Sequence, residues 1–301
     1  MAVKLGISLI AWQNDDLPEL TADYTTEGAM EDAAAIGYAG VERGRRMPGD
    51  TDGLRAYLDR YGLALCGGWC SGNLMVNDLA AEKAAIAAQV DQFAALGAPC
   101  VVYAECSNTI QGDQSRPVGQ RPKLTCDEIM AYGARLSELA KWSADRGCVL
   151  AYHHHMGAMV QDAEDIDWLM AGSDPALTLL FDTGHLHFAG ADPLAVLEKW
   201  GHRVSHVHVK DVRQSVLDWV NAADRSFLDG VANGVFSVPG DPEGGIDFQP
   251  ITDRLSAMGY DGWIVVEAEQ DPAKAPPYRY SKLGFDYLTD ICTRSGLEIG
   301  R

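Results

Sequence analysis

Basic residues are scarce in this chain: 24 Lys and Arg stand against 43 Asp and Glu, a formal net charge of −19. So acidic a surface repels nucleic-acid backbones and anionic membranes, and neither is expected as a partner. Long apolar runs are missing as well, and no stretch approaches the roughly 18 residues that a bilayer span needs. The seven cysteines, Cys66, Cys70, Cys100, Cys106, Cys126, Cys148 and Cys292, include no C-x-x-C pair and are odd in number. That excludes a regular disulfide framework and suggests free thiols in a reducing cytoplasm. Cys66 and Cys70 flank one strand tip, but a structural zinc would call for a second such pair. The opening run from Met1 to Ile10 is too short and too strand-like for a secretory leader. No glycine-rich phosphate turn follows it, which argues against a doubly wound nucleotide-binding sheet. Histidine is absent from the first half, and all eight lie between His153 and His208.

What is present has ordinary globular character. The chain has 301 residues, 47% of them hydrophobic and 22% charged, enough for a large core. Short apolar runs at 4–10, 38–42, 63–68, 100–104, 148–153, 177–181, 204–209 and 263–267 read as strands. Amphipathic stretches at 27–36, 51–61, 80–96, 127–146, 163–170, 193–200, 224–232 and about 280–294 read as helices. Gly37, Gly97, Gly147 and Gly259 stand where helices should close before a strand, and Asp162 and Asp192 where helices should open. Eight strands alternating with helices predict a single (β/α)8 TIM barrel over 1–301. No repeat or linker divides the chain. A long loop insertion at about 212–247, rich in Gly and Pro, is expected between strands 7 and 8, as a structured loop over the barrel mouth.

In such a barrel the chemistry gathers at the carboxyl ends of the strands. Taken in order, those ends offer Trp12, Asn14, Asp15 and Asp16, then Glu42, Arg43 and Arg45, then Trp69, then Glu105. The later ends offer His153, His154 and His155, then Asp182 and His185, then His208, Lys210 and Asp211, and last Glu267 and Glu269. His153, Asp182, His208 and Glu267 are each the first ligand-type residue after an apolar run, and they form the expected metal set. Two imidazoles and two carboxylates suit Mn²⁺, Co²⁺, Fe²⁺ or Zn²⁺ better than Mg²⁺. His154 or His155 could ligate in place of His153; on a regular strand His153 and His155 share a side and His154 opposes them. His185 could serve the metal, the substrate or a neighbouring carboxylate. His187, His202 and His206 read as structural, with His206 on the same side as His208. Lys210 could act as acid, base or clamp, and a nearby cation would lower its pKa. Glu42, Glu105 and Glu269 are carboxylate candidates for the substrate pocket; the alternative for each is a salt bridge to Arg43, Arg45 or Lys210. Asn14 joins them there. Trp12 and Trp69 could wall a sugar ring, or simply lid the core.

Several motifs carry a resemblance. They include Gly68-Trp69-Cys70-Ser71-Gly72-Asn73-Leu74, Glu105-Cys106-Ser107-Asn108-Thr109-Ile110-Gln111-Gly112 and Tyr152-His153-His154-His155-Met156-Gly157. Others are Asp182-Thr183-Gly184-His185, His206-Val207-His208-Val209-Lys210-Asp211 and Glu267-Ala268-Glu269-Gln270-Asp271-Pro272-Ala273-Lys274. They run in order along nearly the whole chain. The sequence resembles the xylose-isomerase-like, endonuclease-IV-like TIM-barrel superfamily and, within it, the myo-inosose-2 dehydratase family of inositol catabolism. That resemblance implies a hydro-lyase that takes water from 2-keto-myo-inositol and leaves a trihydroxycyclohexane-1,2-dione. It also implies a bound divalent metal, Mn²⁺ or Co²⁺ first, and glutathione as a helper on family grounds alone.

The pattern departs from the family's in two places. The superfamily's isomerases and epimerases usually carry a glutamate, both ligand and base, where His153 stands. Its loss argues against two-faced epimerisation. The dehydratases typically carry Asn-Pro where this chain has Ser8-Leu9-Ile10, which bears on substrate identity.

Dehydration of a hydroxy ketone needs a base for the α-proton and an acid for the departing hydroxyl. Glu267, His155 and Lys210 are the candidates, and the sequence leaves them unranked. An isomerase or epimerase acting on another polyhydroxy ketone is the main alternative. A repair nuclease would need histidines on early strands and a basic groove, and a non-catalytic sugar-binding barrel would have lost ligands. The expected partner is a small cyclic polyol ketone, with homo-oligomerisation left open.

Overall fold

The computed structural model describes residues 2–300. Its strands are β1 (Ala2–Ile7), β2 (Gly40–Glu42), β3 (Ala64–Gly67), β4 (Trp69–Gly72), β5 (Cys100–Glu105), β6 (Val149–His153), β7 (Thr178–Asp182), β8 (Val204–Val209), β9 (Asp211–Val212), β10 (Phe236–Ser237), β11 (Trp263–Val266) and β12 (Glu298–Gly300). The helices are α1 (Thr26–Ile36), α2 (Thr51–Tyr61), α3 (Leu79–Leu96), α4 (Cys126–Asp145), α5 (Ala163–Ala171), α6 (Thr183–Phe188), α7 (Pro193–Trp200), α8 (Gln214–Ala222), α9 (Phe227–Asn233), α10 (Gln249–Ala257) and α11 (Pro277–Arg294).

The main sheet runs β3-β2-β1-β11-β8-β7-β6-β5-β4, with parallel pairing throughout and β12 added beside β1. Its two edges, β3 and β4, are consecutive pieces of one strand broken at Gly68. The Gly67 carbonyl accepts from Arg43 N at 2.9 Å and the Gly68 carbonyl from Val102 N at 3.0 Å, so the chain itself closes the ring. This is the expected eight-position barrel, with position three split in two.

The floor of the barrel is packed by unequal partners. Trp263 and Val265 reach inward beside Cys66, and Gly6 and Gly40 make room for them. A Cβ on Gly40 would meet the Trp263 ring at 2.6 Å. Next to this layer lie Cys100, Val102, Ala151 and Leu180. Strand parity then sets the mouth: Ala151 is two residues before His153, Leu180 before Asp182, and Val265 before Glu267. The polar mouth residues are therefore the next inward positions above an apolar floor.

Several expectations need correction. The first strand stops at Ile7, and Leu9–Ala11 forms a 3-10 turn in which Trp12 N and Gln13 N both return to the Leu9 carbonyl. The helix expected at 224–232 starts later, at Phe227, because Ser226 and Asp229 form a reciprocal capping box. Three helices were not predicted. The six residues of α6 are too few for periodicity to register, and Pro250 masked the start of α10, where it occupies a tolerated first-turn position. Helix α8 lies within 212–247, where the Gly and Pro count suggested loop; those residues cluster after Gly230, whereas Leu217 and Val220 supply a buried helical face.

Segment 212–247 also carries the antiparallel pair β9–β10 and meets the loop after β5. Val118 N donates to Arg225 O at 3.0 Å, Gly119 N to Asp224 Oδ1 at 2.8 Å, and Gln114 Nε2 to Asp229 Oδ1 at 2.9 Å. No helix among the described residues is long and apolar enough to cross a membrane. All seven cysteines are free thiols.

Candidate functional site

A cavity of about 650 Å³ opens at the carboxyl ends of the strands. His155, His208, Glu267, Glu269, Glu42 and Trp69 line it, together with Asp16, Arg43, Ser71 and Gln111.

Beside it, one ligand atom each from His153, Asp182, His208 and Glu267 falls within 4.8 Å of all the others, and all four side chains are buried. His208 Nδ1 lies 3.7 Å from Asp182 Oδ2 and 3.2 Å from Glu267 Oε2; His153 Nε2 lies 3.9 Å from Asp182 Oδ2. Asp182 Oδ2 and His208 Nδ1 have no hydrogen-bond partner; Glu267 Oε2 beside them pairs with the Lys210 ammonium at 2.7 Å. Buried polar atoms without partners are costly, so a pair of them facing one point fits a bound cation. The donor set fits too: two nitrogens and two carboxylate oxygens suit a borderline divalent transition ion. Burial, reinforced by His208 and the other imidazoles, holds the His153 pKa well below its usual value, whereas Glu42 and Glu267 outweigh burial and raise that of His208.

The Asp-Thr-Gly-His motif is explained by its local folding. Asp182 caps α6: its Oδ1 accepts from His185 N at 2.8 Å, which leaves Oδ2 for the cluster. Thr183 Oγ1 donates to the Lys210 carbonyl at 2.8 Å and accepts from Lys210 N at 2.9 Å, so it ties the tips of β7 and β8 together. Gly184 must lack a side chain, because a Cβ there would lie 2.6 Å from Lys210 Cγ.

Lys210 is fully buried. Its Nζ stands 2.7 Å from Glu267 Oε2, 2.7 Å from Glu269 Oε2 and 3.3 Å from His185 Nε2. Burial alone would lower its pKa, but Asp182, Glu267 and Glu269 outweigh that and raise it. The expectation of a lowered Lys210 is thus reversed, because three carboxylates surround the ammonium. Glu269 moves the other way from Glu267. Burial, aided by Glu267 and Asp16 against Lys210, pushes Glu269 up to about 8, whereas Lys210 and His208 overcome burial to hold Glu267 well below the usual range. Asp16 is pushed up to about 6, chiefly by burial.

Burial lowers His155 to about 4, and its Nδ1–H donates to the Met156 carbonyl at 2.8 Å. That bond assigns the lone pair to Nε2. Phe227 packs on the His155 ring at 5.3 Å, and Phe236 lies 4.6 Å from Lys210 Nζ. Segment 212–247 thereby supplies apolar walls behind the charged groups. Trp69 is 39% exposed at the mouth and sets its edge against His153 and His155 at 5.7 and 5.6 Å.

Other expected site residues lie elsewhere. Trp12 is buried in the main core and its Nε1 donates to Asp32 at 2.9 Å. Asn14 Oδ1 accepts from Asp16 N and Leu17 N and so builds a turn. Glu105 accepts from Tyr132 Oη at 2.8 Å, from Met75 N and from Ser107. His154, opposite in parity to His153, is fully buried off the cavity wall with neither ring nitrogen partnered. His185 lies behind the wall, 3.8 Å from Glu269 and 4.0 Å ring to ring from His155. Asp16, a strand-tip residue with no role expected from the sequence, lines the cavity together with Asp15; the consecutive pair is the signal the sequence carries.

Known proteins fit this geometry. The family model described as the xylose isomerase-like TIM barrel matches residues 30–291. The rhizopine catabolism protein MocC of Rhizobium meliloti is 42% identical over 299 residues, covering 99% of this chain and 91% of its own. Inosose dehydratase of Lacticaseibacillus casei is 42% identical over 290 residues, covering 96% of this chain and 97% of its own. The chain belongs to the inosose dehydratase family of xylose isomerase-like TIM barrels. Among solved structures, the IolI protein with a bound zinc atom superposes with a TM-score of 0.70 at 16% identity, covering 97% of this chain and 99% of its own. At that identity the likeness is one of fold. In this inosose dehydratase family member His155, His208, Glu42, Glu267 and Glu269 line the mouth of that fold.

Proposed function

We propose that the protein is a divalent-metal-dependent hydro-lyase that removes water from an inosose, 2-keto-myo-inositol, and yields the corresponding trihydroxycyclohexane-1,2-dione. The observation that carries this reading is the convergence of His153, Asp182, His208 and Glu267, with unpartnered buried atoms, beside the cavity. These four would hold the metal, Mn²⁺ or Co²⁺ before Zn²⁺ or Fe²⁺, and the metal would supply Lewis acidity for a ketone and its neighbouring hydroxyl.

The chain's own groups account for the protons. His155 faces the cavity as a neutral imidazole with its lone pair on Nε2, and it takes the α-proton. Glu269 lines the same cavity and holds its proton near neutral pH, so it serves as the acid for the departing hydroxyl. Lys210 stays charged; its ammonium holds the Glu267 carboxylate and an oxygen of the protonated Glu269 carboxyl group, and it stabilises negative charge on the substrate. Trp69 offers a ring face or edge to a carbocycle, and Asp16 and Arg43 offer polar contacts to its hydroxyls.

The test is mass-resolved turnover of 2-keto-myo-inositol by metal-stripped protein with Mn²⁺ or Co²⁺ restored. Loss of one water that depends on metal is the expected result. Bound metal without turnover would move the substrate to another polyhydroxy ketone. In D₂O, His155→Gln should abolish both α-hydrogen exchange and water loss, whereas Glu269→Gln should retain exchange.

A further inference from the structure

We infer that Glu42 is a positioning residue: it holds the His208 ring, through a carboxylate shared with His206, so that Nδ1 alone is free for the cation. This rests on the metal reading above. Glu42 ends β2, three strands round the barrel from β8. Its Oε1 lies 2.9 Å from His208 Nε2 and 3.0 Å from His206 Nε2, and all three side chains are buried. A carboxylate can only accept, so both rings present N–H at Nε2. The opposite nitrogen of His208 faces Asp182 Oδ2 and Glu267 Oε2. One ring thus spans two sites, donating on one edge and left to coordinate on the other.

The surroundings are built for this contact. His206 and His208 are two apart on β8, so both point into the barrel. Gly67, paired with Glu42, leaves the space open: a Cβ there would lie 3.2 Å from His206 Nε2 and 3.3 Å from Glu42 Oε1, at a φ of 153°. The three groups are also close enough to hold a cation of their own. That would require His208 to bridge two ions with both nitrogens deprotonated, whereas 2.9 and 3.0 Å are ordinary N–H···O lengths. A carboxylate behind a ligating imidazole fixes its tautomer and raises its basicity, and removing one typically costs about 10- to 100-fold in metal affinity.

The experiment is chelator competition for Mn²⁺ and Co²⁺, with the visible spectrum of the Co²⁺ protein at saturation, on wild type, Glu42→Gln and Asp182→Ala. Glu42→Gln should bind about 10- to 100-fold more weakly and show a shifted spectrum even when saturated. Gly67→Ala presses the same contact from behind and should shift the spectrum with a smaller, severalfold loss, which keeps the test available if Glu42→Gln does not fold. Wild-type affinity in Glu42→Gln, or weaker binding with an unchanged saturated spectrum, would overturn the assignment of Glu42. Retained metal in Asp182→Ala would instead overturn the metal site itself.

Discussion

The two halves of the barrel mouth carry similar residue types and use them differently. At the tips of β6, β7, β8 and β11, His153, Asp182, His208 and Glu267 turn inward and converge, and Asp182 Oδ2 and His208 Nδ1 among their facing atoms lack a hydrogen-bond partner. In the half that runs from β1 to β5, three of the expected polar tip residues are already satisfied. Trp12 donates to Asp32, Asn14 ties its own turn, and Glu105 is consumed by Tyr132, Ser107 and Met75 N. A charged residue at a strand tip is therefore weak evidence for chemistry. What separates the halves is inward parity and the absence of a local partner. Glu42 is the instructive intermediate: it comes from the early half and faces inward, but the later half's histidines claim it.

The strongest way to break this comparison is to remove an inward ligand. Asp182→Ala should lose bound metal and lower turnover on the order of a thousand-fold or more, since a Lewis acid contributes several kcal/mol; metal content and turnover measure both. Near-normal values for both would erase the distinction between the halves.

The next test is a buried carboxylate of the later half that does structural work. Asp211 accepts from Val212 N, Gly245 N and Ile246 N, and so anchors the start of segment 212–247. Burial, opposed by those backbone bonds, pushes it up to about 6 from 3.8. Its protonated form is thus the one the fold favours. Its contribution is greatest below about pH 4, declines as pH rises towards about 6, and is flat above that, a change of about 3 kcal/mol. Denaturant melts from pH 4 to 7 should show the decline, and Asp211→Asn should flatten it. An unchanged slope in that variant would assign the pH dependence to another group.

Smaller effects are expected in the early half. Glu105→Ala strands four donors, Tyr132 Oη, Met75 N and the N–H and hydroxyl of Ser107, and should cost about 2 kcal/mol of stability while leaving kcat and KM near wild type. A large fall in kcat at unchanged stability would return Glu105 to the site. Trp12→Phe removes one hydrogen bond and part of a ring from the core. It should cost about 1 kcal/mol, read from the melting temperature, with KM unmoved; a raised KM would mean that Trp12 reaches the substrate after all.

Much of this molecule was determined by the sequence alone. Alternating apolar runs and capped amphipathic stretches specified the barrel, because strand and helix periods are local properties of a dozen residues. Parity along a strand separated His153 and His155 from His154, and the first polar residue after each later strand marked the convergent four. The tertiary structure decided the rest. It showed which early tip residues were satisfied by neighbours, that three carboxylates keep Lys210 charged, that Glu269 is set apart from Glu267, and that Glu42 pairs with His206 and His208. These outcomes depend on strands that meet only when the sheet closes. The energies that matter there, the desolvation of a buried charge and its attraction to groups a few ångströms away, have no counterpart in spacing along the chain.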